Sequence, residues 1–338
     1  MNPITAKRPS AAEVSPLYRV IAKSVDDSQQ SLNKGLPDRN VAKRDICAIL
    51  TTYRPDDLFI DRVARILPQV GMAVIIDDGA FSKNEEKLKN WFSGSDGIIV
   101  HHNPINIGLA ASLNVGVKIA LQKGFAWFLT IDDDSLIASD MVEKMIHALK
   151  VIKTQKPIGI IGMSWCDRSI NGKTDAHDAS GPMYSEKRGI ITSGSLFSAE
   201  TYKTAGPFRE EFFIDMVDYD FCLRARAKGL LVIKLHETGF EHSLGCSAVH
   251  RMFGMKVITY NHNALRLYYR IRNASVLVGE YLKSDPLFSM ALVTGNIRIV
   301  CKIILFERNK YRKMVEVIRG IRDSLVGKSG KREQVSYD

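Results

Sequence analysis

Residues 125–135 read FAWFLTIDDDS, an apolar run that ends in three consecutive carboxylates and a serine. A short apolar run closed by a polar cluster reads as a buried strand. The same pattern recurs upstream. ICAILTT (46–52) ends at Tyr53-Arg54-Pro55, MAVIID (72–77) ends at Asp77-Asp78-Gly79, and GIIVHH (97–102) is a third run. Between them, helical spacing covers Asp56 to Leu67, Lys83 to Phe92 and Gly108 to Lys123. Strands alternating with helices predict right-handed βαβ crossovers, hence an α/β fold with a mostly parallel sheet flanked by helices. Ligands of such sheets bind beyond the C-terminal strand ends. Thr51-Thr52-Tyr53, Asp77-Asp78 and Asp132-Asp133-Asp134 are therefore expected to line one crevice.

Downstream the pattern loosens. IGIIGM (158–163), GIITSGSLFS (189–198) and LLVIKL (230–235) read as strands, and Met216 to Lys228 as a helix. Residues 167–188 form a polar stretch with the character of a loop. From about His250 to Leu325 the spacing is helical, and the tail KSGKREQVSYD reads as frayed. Residues 1–44 are polar and hold four prolines, which suggests an extension with a helix from Ser15 to Lys34. The expected organisation is an extension over 1–44, a catalytic domain over 45–250 and a helical, basic region over 251–338.

The chain has 338 residues, 45% hydrophobic and 25% charged, which excludes a disordered or fibrous protein. Lys and Arg outnumber Asp and Glu by 47 to 37, so an anionic partner is expected. Five scattered cysteines with no C-x-x-C argue against a disulfide framework or zinc knuckle and for a reducing compartment. The first ten residues lack the apolar core of a secretory signal. A membrane span is not evident, because charges interrupt the apolar stretches.

Three carboxylates at one strand end repel one another unless a cation offsets them. Hard oxygen ligands suit Mg²⁺ or Mn²⁺. In an extended segment Asp132 and Asp134 share a side. The plainer alternative is an acidic helix start after Ser135. Asp77-Asp78-Gly79 suits either recognition of a base or ribose or an ordinary Asp-Gly turn. A G-x-G-x-x-G after the first strand is missing, as is a P-loop, which disfavours a dinucleotide-binding Rossmann unit and a P-loop NTPase. In FFIDMVDYDFCLRARAKG (212–229), Asp220 has Arg224 four residues on, the spacing of a surface ion pair. Asp218 has no such partner and could serve as a general base. His242 follows a strand and could bind metal or phosphate, or simply pack. In ALRLYYRIRNASVL, Arg266 and Arg270 share one helical face. Tyr269 with Arg272 or Asn273 forms another. Such a face could hold a pyrophosphate or an anionic acceptor.

Taken in order, ILTTYRPDD, VIIDDGAFSKN, NPINIGLAASLNVGVKIA, FLTIDDDS, IITSGSLFS, FFIDMVDYDFCLRARAKG and HSLG resemble the family-2 inverting glycosyltransferases of the GT-A fold. The order is most similar to their bacterial rhamnosyltransferase branch. The resemblance covers roughly residues 45–275, including YYRIRN (268–273). It implies that Thr51, Tyr53 and Arg54 contact the nucleoside and that Asp77 or Asp78 recognises a pyrimidine. It implies that Asn106, Gly108 and Asn114 shape the ribose and diphosphate pocket, beside Asp133. Asp132 and Asp134 would be the D-x-D pair, with Asp134 and His242 at a Mg²⁺ or Mn²⁺ ion. Asp218 would be the catalytic base. Ser193, Gly194, Asp215, Arg266 and Arg272 would face the acceptor. Asp133 stands where the branch usually has Gln, Val217 where it has Glu, and Asp78 where it has Asn.

The implied reaction is transfer of L-rhamnose from dTDP-L-rhamnose to a cell-surface polysaccharide of O-antigen or capsule type, with a UDP-sugar donor as the alternative. A nucleotidyltransferase is disfavoured because TTYRPDD lacks a glycine-rich phosphate loop. A nucleic-acid-binding scaffold is disfavoured because acidic strand ends repel phosphates. Residues 302–338 carry ten Lys or Arg against five Asp or Glu and follow the apolar stretch 286–306. This end is expected to rest on an anionic cytoplasmic membrane face, where a lipid-linked glycan would be the acceptor, or to pack in a homo-oligomer.

Overall fold

The computed structural model describes residues 41–79, 82–167, 173–174, 181–242, 248–252 and 255–332. The expected helix Ser15–Lys34, most of 167–180 and Gly245 lie outside these residues. The strands are β1 (Ile46–Thr52), β2 (Met72–Asp77), β3 (Ile98–His102), β4 (Trp127–Asp132), β5 (Leu136–Ile137), β6 (Ile158–Asp167), β7 (Lys173–Thr174), β8 (Tyr184–Glu186), β9 (Ser195–Ser198), β10 (Leu231–His242), β11 (Ala248–Met252) and β12 (Met255–Thr259). The helices are α1 (Phe59–Ile66), α2 (Ser82–Phe92), α3 (Leu109–Gln122), α4 (Met141–Val151), α5 (Ala199–Ala205), α6 (Val217–Ala227), α7 (Ala264–Tyr281), α8 (Pro286–Phe306) and α9 (Lys310–Leu325).

The main sheet runs in the order β3-β2-β1-β4-β9-β6-β10-β5. Its first four strands are parallel, and the apolar stretches of β1, β2 and β4 suit strands covered on both faces, while β3 at the edge is only partly buried. Every residue of β1 is buried. Helix α3 lies close over β1 because Gly116 leaves room for Ile49, whose Cγ2 would sit 2.4 Å from an added Cβ. The chain order reverses at β1, with β2 on one side and β4 on the other. This is a switch point of the kind that opens a crevice at the strand ends.

Past β4 the sheet becomes mixed. β9 is only Ser195–Ser198, shorter than the expected 189–198, and runs antiparallel between β4 and β6. β10 continues to His242, well beyond the expected 235, because β6 pairs with it as far as Asp167. The two-residue β5 pairs with its far end, Phe240 to Ile137 and Glu241 to Leu136. A strand, not a helix, therefore follows the three aspartates. The region after His250 is not helical throughout, since β11 and β12 form a hairpin before α7.

Helix α8 is 21 residues long with a mean hydropathy of 1.6, enough by length and composition to cross a membrane, and only 17% of its most apolar stretch is buried. It packs on α7 and carries Arg298 and Lys302. The tail is not frayed over 328–332. Gly330 N donates to Glu211 O at 2.8 Å, and Arg332 N donates to the Tyr269 hydroxyl at 2.8 Å.

Candidate active site

The C-terminal ends of β1, β2 and β4 converge. Thr51 lies opposite Asp132, and Thr52 opposite Asp77. Asp133 and Asp134 lie in a turn just past β4, closed by Ser135 N donating to Asp132 O at 3.2 Å, rather than in the extended segment expected, and the turn aims Asp133 back to β1. It accepts from the Thr52 hydroxyl at 2.8 Å and from Tyr53 N at 3.2 Å. Arg62, buried on α1, donates to the Asp133 carbonyl at 2.6 Å and to both oxygens of Asp56. Burial raises the Asp133 carboxyl, against the Thr52 bond. Tyr53 is half-exposed, and the Arg54 guanidinium lies 5.1 Å from its ring.

Asp132 and Asp134 face the other way, and β10 delivers His242 to them through its pairing with β5. One ligand atom from each of these three lies within 4.8 Å of the others. His242 Nδ1 is 3.0 Å from Asp134 Oδ1 and 2.9 Å from Ser135 Oγ. Ser193 Oγ donates to Ser135 Oγ at 2.7 Å and accepts from Asp132 N at 3.2 Å. Gly194, at φ 72°, lets the chain turn beneath Phe240. Burial pushes the Asp132 carboxyl up to about 7; His242 opposes the shift, while Asp134, Asp133 and Asp218 add to it. Burial alone would lower His242, but Asp134 and Asp132 outweigh it and raise it. This donor set, two carboxylates and an imidazole beside a third carboxylate, suits a hard divalent cation, whose charge would relieve the crowding.

Asp77 and Asp78 are both buried and differ in their surroundings. Asp78 accepts from Ile107 N at 2.8 Å, Gly108 N at 2.9 Å and Asn103 Nδ2 at 3.2 Å, which fixes the 103–108 loop. Asp77 Oδ2 sits 3.1 Å from His102 Nδ1, and its Oδ1 is buried with no hydrogen-bond partner. Gly79 (φ 65°) packs directly on the Ile105 backbone, and Gly108 (φ 91°) on Phe213. Asn106 keeps a buried, unpartnered Oδ1 while its carbonyl accepts from Lys331 Nζ at 2.9 Å. Asn114 is fully buried, bonded to the Tyr202 hydroxyl, Phe208 and Glu210.

Asp218 lies in the first turn of α6. Burial pushes its carboxyl up to about 6. The Tyr219 N–H opposes the shift, Asp215 adds to it and Arg270 opposes it. The turn before it holds Phe213, Asp215 and Met216 at φ near 62°, a left-handed conformation costly for non-glycine residues. Asn273, fully buried on α7, holds that turn: its Nδ2 is within 2.9 Å of the carbonyls of Phe212, Ile214 and Asp215. Arg272, also buried, donates to Glu211 O, Phe212 O and Gly330 O. Arg266 pairs with Asp215 at 3.2 Å. Arg270 is near enough to lower the Asp218 carboxyl, and its Nε is buried without a partner. Asp220 is not on the surface: it is fully buried between Arg224 and Arg209.

The structure thus gathers Thr52, Asp132, Asp133, Asp134, Ser193, His242, Asp215, Asp218 and Arg266 in one chain of contacts and charge couplings. Asn114 and Arg272 are instead bonded into the protein interior. Sequence reasoning missed Ser135, Arg62 and His102. It noted Arg270 only as sharing a face with Arg266, and that helical phase was the usable signal. We expect Asn273→Ala to lower stability by about 2 kcal/mol in chemical denaturation, since its two N–H donors, shared among three carbonyls, are lost at roughly 1 kcal/mol each.

Residues 52–192 match the family described as Glycosyl transferase family 2. The chain is 26% identical to the dTDP-rhamnosyl transferase RfbF of Shigella flexneri, covering 84% of this chain and 97% of that one. Among solved structures it is similar to the mannosyltransferase PcManGT of Pyrobaculum calidifontis in complex with GDP-Man and Mn²⁺. That match has a TM-score of 0.50 and 14% identity, over 92% of this chain and 83% of that one. It is also similar to GalNAc-T7 with UDP, GalNAc and Mn²⁺, at a TM-score of 0.50 and 11% identity over 81% of this chain and 61% of that one. The chain therefore carries a glycosyl transferase family 2 domain on a GT-A fold, and it is a glycosyltransferase.

Proposed function

We propose that the protein transfers L-rhamnose from dTDP-L-rhamnose, with inversion, to a hydroxyl of a growing cell-surface polysaccharide, working against the inner face of the cell membrane. The relative named as a dTDP-rhamnosyl transferase supports the donor, since the match runs along 84% of this chain. The observation that carries the reaction type is Asp218, a carboxyl pushed up to about 6 beside the acidic cluster. A base poised near neutral pH takes a proton efficiently while remaining ionised.

The residues divide the work. Asp77 offers its buried, unpartnered Oδ1 to the N3–H of a pyrimidine, and His102 steadies the other oxygen. Asp132, Asp134 and His242 would hold Mg²⁺ or Mn²⁺, which supplies positive charge against the departing diphosphate. Asp218 accepts the acceptor hydroxyl proton as that oxygen bonds to the anomeric carbon. The bond from that carbon to the diphosphate breaks, and the diphosphate leaves with the electron pair. One displacement inverts the centre. Asp218 then releases its proton to solvent. The Asp215–Arg266 pair and Arg270 flank the position left for the acceptor.

Calorimetry tests the donor. dTDP-L-rhamnose is expected to bind more tightly than UDP-galactose, UDP-glucose or GDP-mannose, and only with Mg²⁺ or Mn²⁺ present. Asp77→Ala should weaken the pyrimidine nucleotides by about tenfold, the worth of one hydrogen bond to a charged group. Preference for a UDP-sugar would overturn the donor and leave the fold and the base in place.

A further inference from the structure

The segment 328–332 is a strap. It leaves α9, crosses α7 and ends near the 103–108 loop, held by Arg272 Nη1 on Gly330 O, Arg332 N on Tyr269 and Lys331 Nζ on Asn106 O. Beneath it lies a cavity of about 470 Å³. Five cations line it, Arg319, Arg322, Lys328, Lys331 and Arg332, against one carboxylate, Asp323. Glu316 behind the wall pairs with Arg319 and Arg332, and Asp323 with Arg322. Counting both carboxylates, three positive charges remain in excess among the described residues.

The helix end that bounds the cavity is also apolar on its outer side. Ile321, Leu325 and Val326 are 44%, 82% and 63% exposed. A basic hollow next to exposed aliphatic side chains matches a phosphate attached to an acyl chain. Free phosphate would use the charge and leave the aliphatic residues in water. A nucleic acid would do the same. We propose that the cavity under the strap binds the phosphate of an anionic phospholipid, with Ile321, Leu325 and Val326 entering the acyl boundary, so that this end of the chain is seated on a membrane. The site is separate from the catalytic residues and stands whether or not the donor is dTDP-L-rhamnose.

Co-sedimentation of the full chain with vesicles tests it. Phosphatidylcholine vesicles containing phosphatidylglycerol are expected to bind, and pure phosphatidylcholine vesicles to bind far less. Arg322→Gln with Lys328→Glu should weaken binding at least tenfold, given about fivefold for each basic charge near an anionic surface. Leu325→Asp with Val326→Asp, both well exposed, should also weaken it. Lys123→Glu with Lys150→Glu, which removes more charge elsewhere, should change it little. Lys331 is left intact because it also bonds Asn106. Nucleotide-sugar calorimetry on each variant should be unchanged, which separates loss of the lipid site from loss of the fold or of the donor reading. Equal loss in the Lys123/Lys150 control, no binding to phosphatidylglycerol, or salt-sensitive binding to DNA in its place would overturn the proposal. Complete competition by inorganic phosphate, with the Leu325/Val326 variant unaffected, would assign the cavity to free phosphate and overturn the lipid.

Discussion

Asp218→Asn is expected to cut kcat by roughly 10²–10⁴-fold while leaving nucleotide-sugar affinity unchanged, because only the proton acceptor is lost. The wild-type profile should carry a matching signature. Below about pH 6 the carboxyl is protonated and cannot accept, so kcat/KM should fall about tenfold per pH unit; above it the rate should level off. Asp215 adds to the elevation of Asp218 and is paired with Arg266. Asp215→Asn removes a carboxylate and leaves Arg266 without its partner. Both changes favour ionised Asp218, so the acid limb should move to lower pH.

The stability of the same variant guards against a trivial explanation. The folded pKa of Asp218 is raised above the ordinary value of 3.8, so the folded chain holds the proton more tightly than the unfolded chain. Ionising it subtracts from stability as pH rises from about 4 to about 6, and the loss is complete above that window. A neutral amide avoids this. Asp218→Asn should therefore be at least as stable as wild type at pH 7 in a thermal melt. Activity retained within tenfold of wild type would remove Asp218 from the role.

The first half of the fold was legible because β1, β2 and β4 are buried and write themselves as apolar runs ending in polar clusters. The ends of β1, β2 and β4 could be placed in one crevice from that alone. What followed depends on partners. β5 is two residues long and has no periodicity to detect; it exists because β10 passes beside it, and β10 reaches His242 because β6 accompanies it. Asp77 and Asp78 are adjacent and chemically alike, and only the backbone of the 103–108 loop shows which of them is already engaged. On α7, spacing separated Arg266 and Arg270 from Arg272. Which of them is engaged in the interior shows only in the fold, where α9 packs on the α7 backbone at Gly320 and Arg272 donates to the carbonyls of Glu211, Phe212 and Gly330. The strap over 328–332 has the composition of a loose tail and is held by backbone bonds that composition does not encode.

Removing divalent cations should have an effect as large as removing the base. With three aspartates at one strand end, the metal-free enzyme carries a carboxyl, Asp132, pushed up to about 7 by burial and by its acidic neighbours. Chelation is expected to abolish transfer, and Mn²⁺ or Mg²⁺ to restore it. The cation should also stabilise the fold, because it binds the folded arrangement of Asp132, Asp134 and His242 and not the dispersed ligands of the unfolded chain. A hundredfold excess over its Kd is worth about 2.7 kcal/mol, readable as a rise in Tm. Asp134→Ala should shrink that rise and weaken metal-dependent nucleotide binding together. The pH dependence has a definite sign. Below about pH 7 Asp132 holds a proton that the cation must displace, so the apparent affinity for Mn²⁺ should fall as pH drops through 7. A Tm rise with Mn²⁺ that is the same in wild type and Asp134→Ala would mean that the cation binds elsewhere, and full transfer activity after chelation would mean that the departing diphosphate needs no cation at this site.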